Sequence, residues 1–142
     1  MIFSQTVEYA LRAAVWLADH GEGQTTQEIA EATKVPPSYL SKVLQNLRRA
    51  GIVHGQRGVG GGFTLARPPR EISVLDVVQA VDPIERIKTC PLGIPSHGAN
   101  LCPLHRKLDD AIGHVTSAFG TTSLAELVAP RHRLKPLCPL GA

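Results

Sequence analysis

The chain has 142 residues, 43% of them apolar. This length and composition suit one domain with a real core, or a small domain with one long extra helix. Two large independent domains are excluded. Its net charge of +3 is unevenly placed, because seven basic residues and no acidic residue lie between positions 34 and 70. Glu8 and Arg12 interrupt the apolar N-terminal pattern and no run of about eighteen uncharged apolar residues exists, so we expect neither a signal peptide nor a membrane span.

The first predicted element is an amphipathic helix over residues 4–19, where apolar side chains recur every three to four positions. Two glycines then end it, and a second, shorter helix begins at a capping Thr25 or Thr26. The break at residues 34–37 contains two prolines. Pro37 suits the first turn of a third helix, because the N–H it lacks has no partner there.

The third helix is predicted to run to about residue 50, with Gly51 as its left-handed stop. Its inward-facing side chains are predicted to be Leu40, Val43, Leu44 and Leu47. Two short strands, 52–57 and 63–66, then flank a glycine-rich turn, which predicts a β-hairpin.

The second half of the chain begins with a short helix from a Ser73 cap to Val81. A loop without periodicity follows over residues 84–101. A long helix is predicted from Pro103 to Phe119, with one apolar stripe that needs a partner surface, and a short capped turn follows it. We expect the tail from residue 130 to be poorly ordered.

Two helices joined by a short break and followed by a hairpin are typical of a winged helix-turn-helix. The predicted fold is therefore mainly α with a small β-hairpin wing. In this division, residues 1–82 form the DNA-binding domain, 83–102 a cysteine-containing loop, 103–129 a dimerisation helix with a short terminal helix, and 130–142 a flexible tail.

The acid-free segment carries the candidate DNA contacts. The start and outer face of the third helix carry hydroxyl, amide and amino groups, on Ser38, Tyr39, Ser41, Lys42 and Gln45. Such groups can contact the base edges and phosphates of a major groove. Wing glycines, Gly60 and Gly61 among them, let the backbone approach a narrow minor groove with Arg57 at its edge. The alternative is an ordinary solvated helix and loop, which explains the absence of acids less well. A dinucleotide-binding loop is excluded, because a strand follows and Phe63 replaces the third glycine.

Four segments, SQTVEYALRAAVWLA, TTQEIAEATKVPPSYLSKVLQNLRRAGIV, RGVGGGFTLAR and VLDVVQAVD, resemble the bacterial iron–sulfur winged helix-turn-helix repressors of the IscR/NsrR type. The resemblance covers about residues 1–128. It implies a homodimer on a palindromic operator, with the long C-terminal helix as the dimer element. By motif position it places Arg57 in the minor groove and Ser38, Tyr39, Ser41 and Lys42 against the major groove.

The resemblance also implies metal ligands in the loop. That family carries three loop cysteines, whereas this chain has Ser96 in place of the middle one. Cys90, Cys102 and His105 match ligand positions, and Glu8 matches a carboxylate that some members donate from the partner subunit. This set favours a [2Fe–2S] cluster with mixed ligands over a [4Fe–4S] cluster. The implied function is sensing of nitric oxide, redox state or iron–sulfur status.

Several alternatives stay open. Zinc bound through Cys90, Cys102, His105 and His97 suits tetrahedral coordination. A metal-free DNA-binding protein is another, and a thiol redox switch that uses Cys138 is a third. With three cysteines and no predicted signal peptide, we expect a cytoplasmic protein with reduced thiols. We find no nucleophile–base pair, so an enzyme is not expected.

Overall fold

A computed structural model describes residues 2–96, 100–131 and 134–137. Within these residues the chain forms six α-helices, two strands and a one-turn 3-10 helix over Pro69–Glu71. The helices are α1 (Gln5–Asp19), α2 (Thr26–Thr33), α3 (Pro37–Arg49), α4 (Val74–Val81), α5 (Pro103–Gly120) and α6 (Leu124–Leu127), and the strands are β1 (Val53–Gln56) and β2 (Gly62–Leu65). The strands pair antiparallel, with Val53 opposite Leu65. The predicted mainly helical fold with a hairpin is confirmed.

Side-chain caps fix where α1, α2 and α4 start. Ser4 accepts a hydrogen bond from the backbone N–H of Val7 at 3.2 Å. Thr25, the first of the two predicted candidates, caps α2 in a reciprocal box with Glu28. Ser73 and Asp76 form the same arrangement at the start of α4. These local bonds satisfy backbone donors that a helix end leaves unpaired.

The core lies between α1, α2, α3 and α4. Ala10, Ala13 and Ala14 are fully buried on α1, and their small side chains let the other helices approach its backbone closely. The inward face of α3 is as predicted, with Leu40, Val43, Leu44 and Leu47 all at most 1% exposed. Burying such a side chain fully contributes about 1.5–3 kcal/mol, so α3 is held firmly in one orientation.

After α5 the chain returns to this core. Leu124, the first residue of α6, is 0% exposed, and its N–H donates to the carbonyl of Ile72 at 2.9 Å. The N–H of Val74 donates to the carbonyl of Thr122 at 2.9 Å. The start of α6 is therefore pinned beside the start of α4.

The long helix α5 has no buried residue, and Leu104 and Leu108 are 62% and 48% exposed. Near its end, Phe119 meets Phe3 with ring centroids 5.2 Å apart. Nothing in the described part of one chain covers its apolar stripe fully. Among the described residues, no helix combines the length and the apolar character that crossing a bilayer requires.

Candidate nucleic-acid interface and cysteine loop

The polar face of α3 is presented to solvent. Ser38, Tyr39, Ser41, Lys42 and Gln45 are all exposed, on the side opposite the buried leucines. Ser41 donates its hydroxyl hydrogen bond to the carbonyl of Pro37 at 3.1 Å, within its own helix. The helix contains no acidic residue, so its outer surface combines hydrogen-bonding groups with positive charge. Such a surface fits the edges and phosphates of a major groove.

Tyr39 also ties α3 to α1. Its hydroxyl lies 2.5 Å from the hydroxyl of Thr6, and its ring meets the ring of Tyr9 edge-on, with centroids 5.2 Å apart. The guanidinium of Arg12 lies 5.4 Å from the centroid of the Tyr9 ring. The N-terminal end of α3 is thereby fixed against α1, a role for Tyr39 that the sequence did not indicate.

The wing is docked on the loop between α1 and α2. The N–H of Gln24 donates to the carbonyl of Phe63 at 3.0 Å, and the N–H of Phe63 donates to the carbonyl of Gln24 at 2.7 Å. The Gln24 side chain accepts a hydrogen bond from the indole N–H of Trp16 at 3.2 Å. This isolated β-bridge between Gln24 and Phe63 was not predicted from the sequence. It holds the hairpin in a fixed direction relative to α3.

The wing tip is built from glycine. Gly58 and Gly60 have positive φ angles of 95° and 75°, and Val59 between them is fully exposed. Arg57, at the edge of this turn, is also exposed. A tip with almost no side chains can enter a narrow groove, where an arginine meets enhanced negative potential. The predicted groove contacts, with Gly60 and Gly61, therefore share one accessible edge.

In the cysteine loop, the structure brings two of the four predicted ligands together. Cys102 is the N-cap residue of α5, and its Sγ lies 3.4 Å from Nδ1 of His105. Two ligand atoms on a tetrahedral metal, sulfur at about 2.3 Å and nitrogen at about 2.1 Å, lie about 3.5 Å apart. The pair fits one metal centre in donor type and in separation.

The other two predicted ligands do not join this pair. Cys90 is buried, and Glu8 on α1 accepts a hydrogen bond from Nε of Arg12 at 3.1 Å. Among the described residues, no group of three or more His, Cys, Asp or Glu side chains is arranged to hold a metal ion. His97 and Cys138 lie outside the described residues. One described chain thus presents a two-ligand pair, not a closed site.

An ion pair that the sequence did not predict joins the loop to α5. Arg86 donates from Nε and Nη2 to the two carboxylate oxygens of Asp109 at 2.7 and 2.8 Å. The N–H of Ile87 donates to the same carboxylate at 2.9 Å. The hydrogen bond from Arg86 lowers the pKa of Asp109 to about 2, while the same contact raises the pKa of Arg86. A hint in the sequence was Gly113, because glycine inside a helix is less favourable than alanine.

An apolar groove of about 470 Å³ lies between the N-terminus, α4 and α5. Its lining includes Phe3, Val7, Val78, Ile84, Leu108 and Ile112. The exposed apolar stripe of α5 continues along one side of this groove. Together they form one apolar surface at the end of the molecule that carries α5.

A family model described as Rrf2, iron-dependent transcriptional regulator, matches residues 3–130. A Mycobacterium tuberculosis protein assigned as an HTH-type transcriptional regulator is 41% identical over 138 residues, covering 93% of this chain and 86% of that protein. The HTH-type regulator IscR of Xenorhabdus nematophila is 34% identical over 122 residues, or 84% and 74% of the two chains. These relatives are regulators and not enzymes, as the sequence predicted.

The fold also matches a solved structure. CymR, the global cysteine regulator of B. subtilis, superposes with a TM-score of 0.74 at 24% identity, covering 89% of this chain and 95% of CymR. The likeness extends over both the hairpin-bearing half and α5, since so much of each chain is covered.

Proposed function

The chain belongs to the Rrf2 family of transcriptional regulators, and from this premise we propose that it is a cytoplasmic homodimeric repressor that binds a palindromic operator and senses its signal through a metal centre at the cysteine loop. The observation that carries the DNA-binding part is the acid-free surface formed by α3 and the wing. Lys42 and Arg57 give that surface its charge, and Tyr39 and Gln24 hold its two elements in place.

In the proposed complex, α3 enters the major groove and the wing reaches the adjacent minor groove. Ser38, Ser41 and Gln45 supply hydrogen-bonding groups for base edges, and Lys42 neutralises phosphate. Binding that neutralises phosphates releases counterions, so affinity should fall steeply with salt. The operator can be obtained by selection from random duplexes and then measured by fluorescence anisotropy from low to high salt. A flat salt response, or no selected sequence, contradicts this part of the proposal.

The dimer part rests on the apolar surface of α5 and its groove. Leu104 and Leu108 are exposed although they are apolar, and the groove beside them is lined mainly by carbon. A second copy related by a two-fold axis would offer the same surface and cover both. In this arrangement two copies of α3 face successive major grooves, which is why the operator should be palindromic.

The sensing part rests on the donor set of the loop. Cys90, Cys102 and His105 would hold a [2Fe–2S] cluster, with Glu8 of the second copy as the fourth ligand, because one iron of such a cluster accepts ligands other than thiolate. When bound, the cluster supplies a centre that responds to nitric oxide, redox state or iron supply. The chain itself holds Cys102 beside His105, and Arg12 balances the charge of Glu8.

Iron, sulfide, zinc and visible absorbance after anaerobic purification test this assignment. We expect Cys90→Ala and Cys102→Ala to lose the cluster, and His105→Ala or Glu8→Ala to keep some of it with a shifted spectrum. Cys138→Ala is the matched control and should leave iron unchanged. Zinc without colour would replace the cluster with a zinc site. A wild type without metal after reconstitution would leave a metal-free DNA-binding regulator or a thiol switch.

A further inference from the structure

We propose that Arg86 and Asp109 are positioning residues that close the base of the cysteine loop and keep Cys90 in its buried position. With Ile87 and Gly113 they form an arrangement that we call the clasp. The inference deepens the proposed function, since it concerns the same loop. Its central observation is the forked ion pair between Arg86, near the start of the loop, and Asp109 on α5.

The clasp fixes how the start of the cysteine loop is oriented on α5 and how far from α5 it lies. Each carboxylate oxygen of Asp109 receives one hydrogen bond from the guanidinium of Arg86, and Oδ1 receives a second from the backbone N–H of Ile87. A forked arginine–carboxylate contact has one preferred geometry, unlike the contact of a lysine. The backbone bond from Ile87 leaves the chain little freedom just before Cys90.

Gly113 provides room for the guanidinium. A Cβ at this position would lie 3.1 to 3.3 Å from the terminal atoms of Arg86. Any larger side chain would push the guanidinium away by a few tenths of an ångström and lengthen its bonds to Asp109. Glycine is unfavourable inside a helix compared with alanine, so its presence in the middle of α5 is explained by the clasp.

The clasp brings the two cysteine-bearing segments to one place. Ile87 and Asp109 are 22 positions apart, and Cys90 follows Ile87 by three residues, a reach of about 10 Å. On the other side, the seven helical positions from Cys102 to Asp109 span about 10 Å. Both cysteine-bearing segments therefore leave from one contact, so opening the clasp would free the segment that carries Cys90.

The exposure of the Arg86–Asp109 pair indicates that it positions the loop more than it stabilises the fold. The side chains of Arg86 and Asp109 are 49% and 16% exposed, and a pair that remains in contact with water adds little to global stability. Removing it should therefore leave the fold intact while releasing the loop. The readout that follows is access to Cys90, which is 8% exposed with the clasp closed.

The experiment uses the full-length metal-free chain with Cys138→Ser, so that only Cys90 and Cys102 react with Ellman's reagent. Peptide mapping after short labelling times separates the two thiols. We expect Asp109→Asn and Arg86→Met to raise the labelling rate of Cys90 by about tenfold, because local opening governs access to a buried thiol. Arg86→Lys keeps the charge but lacks the fork, and should also accelerate labelling. Asp110→Asn, which removes a neighbouring carboxylate, is the matched control.

A wild-type labelling rate of Cys90 in Asp109→Asn, with the circular dichroism spectrum of the folded chain, overturns the proposal. Equal acceleration by Asp110→Asn also overturns it, because the effect would then come from general charge. Gly113→Ala keeps the chain folded, since alanine favours a helix, and it should accelerate labelling as well. Failure of the wild type to take up iron would refute the proposed cluster and leave this test of the clasp unaffected.

Discussion

Gly62→Ala should undock the wing without unfolding the domain. Gly62 opens β2 with a φ of 114°, a conformation that favours glycine. A Cβ there would lie 2.6 Å from the carbonyl oxygen of Gln24 and 2.7 Å from its carbonyl carbon. Both are backbone atoms and cannot rotate aside. The strand must therefore move away from Gln24.

The change in the free energy of unfolding can be estimated from the hydrogen bonds that undocking breaks. Undocking breaks two backbone hydrogen bonds between Gln24 and Phe63, each worth about 0.5–1.5 kcal/mol, so we expect the free energy of unfolding to fall by about 1–3 kcal/mol. Keeping the wing docked would instead require strain of about 1–3 kcal/mol at Gly62 in addition to the clash, so detachment is the cheaper response. Operator affinity should fall because Arg57 is no longer held beside α3.

Three measurements separate these effects. Urea denaturation gives the unfolding energy, and anisotropy with a selected operator gives affinity. Trp16 is the only tryptophan of the chain and donates to the side chain of Gln24 at 3.2 Å, so its fluorescence reports undocking directly. Gly58→Ala is the matched control, because its φ is 95° but nothing lies within 4 Å of its Cβ position.

We expect Gly58→Ala to cost stability through backbone strain while leaving the Trp16 signal unchanged. Gly21→Ala has neither strain nor a neighbour and should behave as wild type. If Gly62→Ala gave the same fluorescence and affinity as Gly58→Ala, the contact with Gln24 would not be what orients the wing, and the reasoning would be refuted.

Three further predictions concern other parts of the molecule. Arg57→Ala should weaken operator binding by about 1–3 kcal/mol in anisotropy titrations, whereas Lys88→Ala, outside the acid-free segment, should not. Ile112→Asp should dissociate the dimer in ultracentrifugation or unfold the chain, because it places a carboxylate in the apolar groove. His114→Asp, at an exposed position, should do neither. A monomeric wild type at micromolar concentration contradicts this prediction. Since Arg86 lowers the pKa of Asp109 to about 2 from 3.8, the stabilisation by this pair is complete above about pH 4 and is lost as the pH falls toward 2. A carboxyl NMR titration of Asp109 should show that low midpoint, and the Arg86→Met variant should raise it toward the ordinary value.

The parts of the fold that the sequence predicted are those set by neighbouring residues. Helix starts follow from caps such as Thr25 and Ser73, which bond to groups three positions away. The inward face of α3 follows from helical periodicity. Cys102 and His105 were two of the four predicted metal ligands, and their spacing of three positions at a helix start brings them together.

The parts that the sequence did not predict depend on distant contacts. Nothing near Gln24 shows that it pairs with Phe63, since that contact requires the hairpin to fold back on another loop. Arg86 and Asp109 lie 23 positions apart, and their pairing depends on how α5 packs on α4. The relation of Cys90 to the other ligands depends on the course of the loop, for which neither periodicity nor capping gives a rule.

The return of the chain after α5 has a consequence for synthesis. Because Leu124 fills the core beside Ile72, the DNA-binding domain is assembled from two separated stretches of sequence. The cysteine loop and α5 lie between these stretches. A nascent chain on the ribosome cannot complete the domain until both have been translated, so the proposed sensor segment is made before the domain is complete. The loop and α5 thus lie between two segments that must pair for the core to close, the start of α4 and the start of α6.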